Sequence, residues 1–190
     1  GGSLISKCLA AMPNTQLLSE VDPLSRMLDP VDGRPRFTPS DMISLMRDSA
    51  RGASQALIVE MFLADLQLIH EESCRLGQRV VLRDHAHGHY CLDSIEDRPG
   101  LRDLVATRFP VLSALTVRHP LDSYLALRAH GWIQHRPPTL DEYCRRYLAF
   151  LGDHAGVPVV RYEDVVAAPR IVLCVSTTYL MPMAGSSRTR

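Results

Sequence analysis

Val111-Leu112-Ser113-Ala114-Leu115-Thr116-Val117-Arg118-His119-Pro120-Leu121-Asp122-Ser123-Tyr124 is the stretch that decides the fold class. Residues 111–117 form an apolar run of strand length, and Pro120 followed by Ser123, Tyr124, Leu125 and Leu127 has the pattern of a helix opened by proline. A strand running straight into a helix is the unit of an open α/β sheet. Arg118 then falls at the strand's carboxyl end, where such sheets bind ligands. Taken alone, Arg118 reads equally well as an anion-binding residue or as the partner of a surface carboxylate.

The same alternation extends outward from this unit. Toward the amino terminus, Arg79-Val80-Val81-Leu82-Arg83 is a compact β-branched strand, and Thr15-Gln16-Leu17-Leu18-Ser19-Glu20-Val21 is another. Residues 3–12 read as a short helix ended by Pro13, and residues 40–50 and 54–76 as two more helices. The last of these carries Ile58, Phe62, Leu66 and Ile69 on one face and stops at Gly77. Toward the carboxyl terminus, the helix after Arg118 should end near Gly131. Thr139-Leu140-Asp141-Glu142 is a capping box opening a helix whose apolar face includes Leu140, Tyr143, Tyr147, Leu148 and Leu151. Residues 157–161 supply a further strand. The expectation is one α/β domain, a parallel sheet flanked by helices and joined by right-handed crossovers. Residues 22–39 hold four prolines and few apolar side chains, which reads as a long connection and part of a substrate mouth.

Composition sets the limits. The 190 residues, 46% of them hydrophobic, suffice for one sizeable core and leave no room for two ordinary domains. Lys plus Arg equals Asp plus Glu at 21 each, so the chain has no global basic field for non-specific nucleic-acid binding, and any anion site must be local. The five cysteines, Cys8, Cys74, Cys91, Cys144 and Cys174, are widely spaced and never form a Cys-x-x-Cys pair, which argues against a disulfide framework or a zinc site. No apolar stretch approaches the roughly 20 residues of a membrane helix, and no basic segment with a hydrophobic run opens the chain. These features lead us to expect a soluble protein of the cytoplasm. The chain opens on Gly1-Gly2-Ser3, in what reads as a loop, and we expect a fragment without the strand that leads into it.

Three clusters carry chemistry. Gly1-Gly2-Ser3 before a helix gives backbone freedom, free amide donors and the positive end of a helix dipole, all suited to an anion, although a glycine pair there is also an ordinary entry turn. It lacks the Gly-x-x-x-x-Gly-Lys-Ser/Thr pattern of nucleotide triphosphatases. Arg83-Asp84-His85-Ala86-His87-Gly88-His89-Tyr90 follows a strand, and in an extended conformation its three histidines would share one face, a geometry that could hold zinc. The alternative takes His87 and His89 as loop histidines, with His85 at the strand's end as a general base, since its ordinary pKa of about 6.5 suits proton transfer near neutrality. The third cluster is Arg118 with Ser123.

At these residues the chain, from Gly1 to about Arg170, resembles the bacterial members of the sulfotransferases that use 3'-phosphoadenosine 5'-phosphosulfate (PAPS). In that family a Ser-Gly-Thr-Thr-like loop cradles the 5'-phosphosulfate, and Gly1-Gly2-Ser3-Leu4 resembles its later part. An Arg at a strand's end and a Ser eight residues on contact the 3'-phosphate; Arg118 matches, whereas position 126 is Ala, and Ser123 stands three residues earlier on the same helical face. A Lys-x-His in the cytosolic branch supplies a sulfate-contacting cation and a base, and Arg83-Asp84-His85 is similar in type and spacing. In a Golgi branch that sulfates tyrosine the base is a Glu after the second strand, a position that Ser19-Glu20 resembles. Arg161-Tyr162-Glu163-Asp164 resembles a family segment whose role is mainly architectural.

The resemblance implies a three-layer sandwich like that of P-loop nucleotidases over residues 1–170, and an enzyme moving a sulfuryl group from PAPS to a hydroxyl or amine without a metal. His85, Arg83 and Glu20 are then the catalytic candidates, and Gly1, Gly2, Ser3, Leu4, Arg118 and Ser123 the nucleotide-binding ones. The acceptor is expected to be a small molecule, a carbohydrate or a peptide. Residues 171–190 form an apolar, β-branched tail where relatives continue with an amphipathic helix. Two other readings stay open: a P-loop kinase-like enzyme, and a remnant without catalysis.

Overall fold

The computed structural model describes residues 2–25, 39–95 and 97–168. Gly1, most of the proline-rich connection and the 171–190 tail lie outside them. Within the described residues helices and short parallel strands alternate: α1 (Gly2–Ala10), β1 (Thr15–Val21), α2 (Met42–Arg47), α3 (Gln55–Arg75), β2 (Arg79–Asp84), α4 (Ala86–Tyr90), α5 (Leu101–Ala106), β3 (Leu115–Val117), α6 (Pro120–Ala129), α7 (Leu140–Asp153), β4 (Val159–Arg161) and α8 (Tyr162–Ala167).

The caps explain several boundaries. Asp41 accepts hydrogen bonds from the Ile43 and Ser44 amides at the start of α2, Ser54 from Leu57 at the start of α3, and Thr139 from Glu142 at the start of α7. Pro120 occupies the first turn of α6. Gly77 and Gly131 stand just past α3 and α6 at φ 68, a left-handed conformation that ends a helix at little cost to glycine. Only half of the capping box closes, because the Glu142 carboxylate pairs with Arg146 at 2.8 Å.

The strands form two parallel pairs, β1 with β2 and β3 with β4, and among the described residues the pairs share no hydrogen-bonded edge. The expected single sheet is corrected to that extent. β3 is also shorter than the 111–117 run: Leu112 is half exposed, Val111 makes only an isolated bridge, and the ladder covers 115–117 opposite 159–161. Hydrophobicity makes a strand eligible, whereas a ladder of hydrogen bonds needs a neighbour. In β1 the register runs from Thr15 opposite Arg79 to Leu18 opposite Leu82, then skips one residue to set Val21 opposite Asp84. That bulge holds Glu20 at φ 61.

Helices cover both faces of β2. Val80 and Leu82 pack with Leu63 and Leu66 of α3, Leu101 and Val105 of α5, and Phe109. Val81, pointing the other way, packs with Ile5 and Leu9 of α1, Val160 of β4 and Val165 of α8. Two expected helix faces are rotated. In α3, Ile69 is 37% exposed while Leu63 is buried, because the 3.6-residue period drifts over 21 residues and the packed stripe follows Ile58, Leu66, His70 and Ser73. In α7, Leu148 is 67% exposed and the buried positions are Tyr143 and Arg146. No helix among the described residues is long and apolar enough to cross a membrane.

Candidate functional site

The carboxyl ends of β1, β2 and β3 and the amino end of α1 open into two adjoining cavities of about 340 and 500 Å³. The two share Gly2, Ile5, Ala86, His87, Thr116 and Phe150 as lining residues. The smaller is also lined by Glu20, Arg83, Asp84 and His85, and the larger by Ser3, Arg118, Ser123 and Ala126. Every candidate among the described residues therefore lines one cavity or the other, except Leu4. That side chain is 44% exposed and lines neither, because the α1 stripe of Ile5, Ser6 and Leu9 takes the inward direction. Gly1 lies outside the described residues.

The smaller cavity is built around Arg83. Its guanidinium donates to Ser19 Oγ at 3.1 Å and pairs with the Glu20 carboxylate. It also packs across the start of α1, where a Cβ on Gly2 would stand 2.8 Å from Nη2. A side chain there would push the end of the flexible Arg83 side chain away from its present place at the start of the helix. The bulge in β1 turns Glu20 toward this group and toward His85, whose Nε2 lies 3.8 Å from Glu20 Oε2. A half-exposed carboxylate in a left-handed conformation is backbone strain held at a site. Burial lowers the pKa of Arg83 and of His85; for His85 the Asp22 carboxylate pulls upward and Arg83 downward. His85 thus stays neutral, with a lone pair to give, at ordinary pH.

The histidine cluster departs from both expectations for it. Residues 86–90 turn as a short helix, so His85, His87 and His89 do not line one extended face, and His87 and His89 are not loop residues. The His85 and His87 rings lie 6.3 Å apart, centroid to centroid, while His89 stacks on Tyr90 at 4.6 Å. Among the described residues no three His, Cys, Asp or Glu side chains gather in a way that could hold a metal ion.

Tyr147 Oη donates to the Arg118 carbonyl at 2.8 Å, and the Arg118 guanidinium carbon sits 5.2 Å from the centre of the Tyr162 ring. Glu163 accepts a hydrogen bond from the His119 amide at 2.9 Å, just before the start of α6. Near Ser123, burial pushes the Tyr143 phenol up to about 12. The far wall is held by Arg146, 5% exposed, which donates to the carbonyls of Tyr90, Leu92 and Asp93. Among the described residues lining the larger cavity there is no Asp or Glu, whereas Tyr90, Trp132, Tyr143, Tyr147 and Phe150 contribute aromatic surface.

Sequence reasoning missed one group beside the smaller cavity. Arg98 makes a bidentate pair with Asp22 at 2.9 and 2.7 Å, both side chains being almost fully buried. Next to it the Asp84 carboxyl is pushed up to about 7 by desolvation and by Asp22, against the pull of Arg98. Asp22 stood two residues after Glu20 at a strand end and was visible in principle; nothing local marked Arg98. Set against protein families, curated proteins and solved structures, the chain matches none.

Proposed function

We propose that the protein is a PAPS-dependent sulfotransferase, with the larger cavity taking the nucleotide and the smaller one the reacting groups. The observation that carries this reading is that residues far apart in sequence line two cavities joined at Gly2, the first residue of α1: Glu20, Arg83 and His85 on one side, Arg118 and Ser123 on the other. The groups suit the ligand's chemistry. A cavity lined by arginine, histidine and aromatic rings, with no carboxylate among its described lining residues, is fit for an anion carrying a planar base. The amino end of α1 adds amides without a partner inside the helix and a positive dipole for a phosphate or sulfate. The three-layer sandwich belongs to the same reading, and helices on both faces of β2 support it.

PAPS supplies the sulfuryl group when bound, activated by its link to phosphate. The chain's residues then have separable tasks. Arg118 holds the 3'-phosphate, and Ser123 donates to it from one turn along α6. Ala126, which also lines the cavity, has only a methyl group to offer there. Arg83 and the first amides of α1 balance the charge that spreads over the sulfuryl oxygens, a preorganised electrostatic role of the kind that dominates phosphoryl transfer. His85 takes the acceptor hydroxyl's proton at Nε2 as the new S–O bond forms and the bond to phosphate breaks. Glu20 accepts from Arg83 and holds that cation in place. His85 is preferred as base because the carboxylate is already paired and half exposed.

Equilibrium binding separates this reading from the kinase-like one. The chain is expected to bind adenosine 3',5'-bisphosphate and to ignore magnesium ATP; the reverse preference would overturn the assignment. Transfer of radiolabelled sulfate from PAPS to a panel of phenols, sugars and peptides would then identify the acceptor class.

A further inference from the structure

β2 and β3 each belong to a two-stranded pair, so among the described residues each has a strand on one side only. Their other edges flank the smaller cavity, whose walls include Val81 and Leu82 on one side and Ala114 and Leu115 on the other. Helices close it on both faces: Ile5 and Leu9 of α1 line one, Leu101 and Val105 of α5 the other. α1 also ties the two pairs together, because Ile5 and Leu9 pack in one cluster with Val81 of β2 and Val160 of β4. Between the pairs is thus an apolar slot of about 340 Å³ under a shared helix layer. Two strand edges and two covering helices are the surroundings of a central strand in a parallel sheet. The polar groups agree. Ser113 Oγ, on a residue lining the slot, is buried without a hydrogen-bond partner, and buried strand edges need partners too.

We propose that this slot is the seat of one further strand, parallel to β2 and β3 and leading into α1. Its direction follows from where the carboxyl ends of β2 and β3 meet. Arg83 packs against Gly2, and Thr116 lines both cavities together with Gly2. A strand running the same way through the slot emerges at the amino end of α1, and a strand leading into the Gly1-Gly2-Ser3 turn is what the sequence leads one to expect. Buried on both faces, it needs a continuous apolar, β-branched run about as long as the six residues of β2. The order then becomes β1, β2, the added strand, β3, β4, which is a single parallel sheet. Glu20, Arg83 and His85 stand at the carboxyl rim, so a strand filling the apolar part beside Leu9, Leu17 and Val157 leaves them open.

The strand's seat does not depend on which nucleotide the site takes, and the test reads structure alone. The full chain is extended by Lys-Val-Val-Ile-Val-Ile joined directly before Gly1. It is compared, by nuclear Overhauser effects, amide hydrogen exchange and thermal melting, with the unextended chain and with a control extension whose third and fifth residues are proline, which cannot donate to a ladder. The apolar extension is expected to show cross-strand contacts to both residues 81–84 and residues 114–117, to slow amide exchange there, and to melt above both comparison chains. Contacts to only one of the two strands, contacts to the outer edge of β1 or β4, or no contacts in a folded chain overturn the proposal. Ala114→Trp, which sets an indole at a residue lining the slot, should abolish the contacts in the extended chain; contacts that persist count against it. If that variant does not fold, the proline control carries the comparison. A dimer of the unextended chain with slowed exchange at the same amides would assign the slot to a second copy and likewise overturn the proposal.

Discussion

Glu20 and Asp84 show how much of the site is strain accepted by single residues. A non-glycine residue in the left-handed region costs about 1 kcal/mol, and the exposed pair with Arg83 returns little of it. Glu20→Gly should therefore melt at or above the wild-type temperature while freeing Arg83; a marked loss of thermal stability would contradict that account. Asp84 makes its cost visible in pH. An unfolded aspartate gives up its proton near pH 3.9, whereas the folded one keeps it up to about 7. Between those values the unfolded state binds fewer protons, so stability falls as pH rises, by at most about 1.4 kcal/mol per unit, and levels off above 7. Asp84→Asn lacks the group. Urea unfolding across pH should find the variant more stable than wild type above pH 7, with the difference closing toward pH 4. Neither cost could be read from residue type, since both depend on what the fold brings alongside.

Among the elements, α7 links fold and site most directly. It carries Tyr143, Arg146, Tyr147 and Phe150 to the larger cavity, and its Tyr147 hydroxyl fixes the Arg118 carbonyl. Its start depends on Thr139. Thr139→Ala should cost about 1 kcal/mol, read as a lowered urea midpoint with an unchanged slope. Caps of this kind are local, which is why the ends of α3, α6 and α7 were legible in the sequence. The short helix of residues 86–90 was not. Five residues are too few to display a period, and alternating histidines satisfy a strand pattern equally well. The inward faces of α3 and α7 were legible only in part, since amphipathic spacing names candidates and neighbouring elements choose among them.

For the whole molecule, much of the alternation of strands and helices was readable because the strands lie in short apolar runs and α3, α6 and α7 carry start signals, whereas the short helices α4, α5 and α8 have no side-chain cap and were not. The division into two parallel pairs was not, because pairing is settled by neighbours distant in the chain. The same distance hid Arg98 from Asp22, 76 residues apart. The core that holds both cavities centres on β2. Leu66→Ala, at a side chain 1% exposed between α3 and that strand, should cost about 3 kcal/mol in chemical denaturation. The candidate residues converge on two joined cavities, and calorimetric titration with adenosine 3',5'-bisphosphate reads whether those cavities form one nucleotide site. Micromolar binding is expected of the wild-type chain, weakened about ten- to a hundredfold in a folded Arg118→Ala variant, the worth of a charge-assisted contact. A folded wild-type chain that does not bind the bisphosphate, or an Arg118→Ala variant that binds it equally well, would contradict a single nucleotide site.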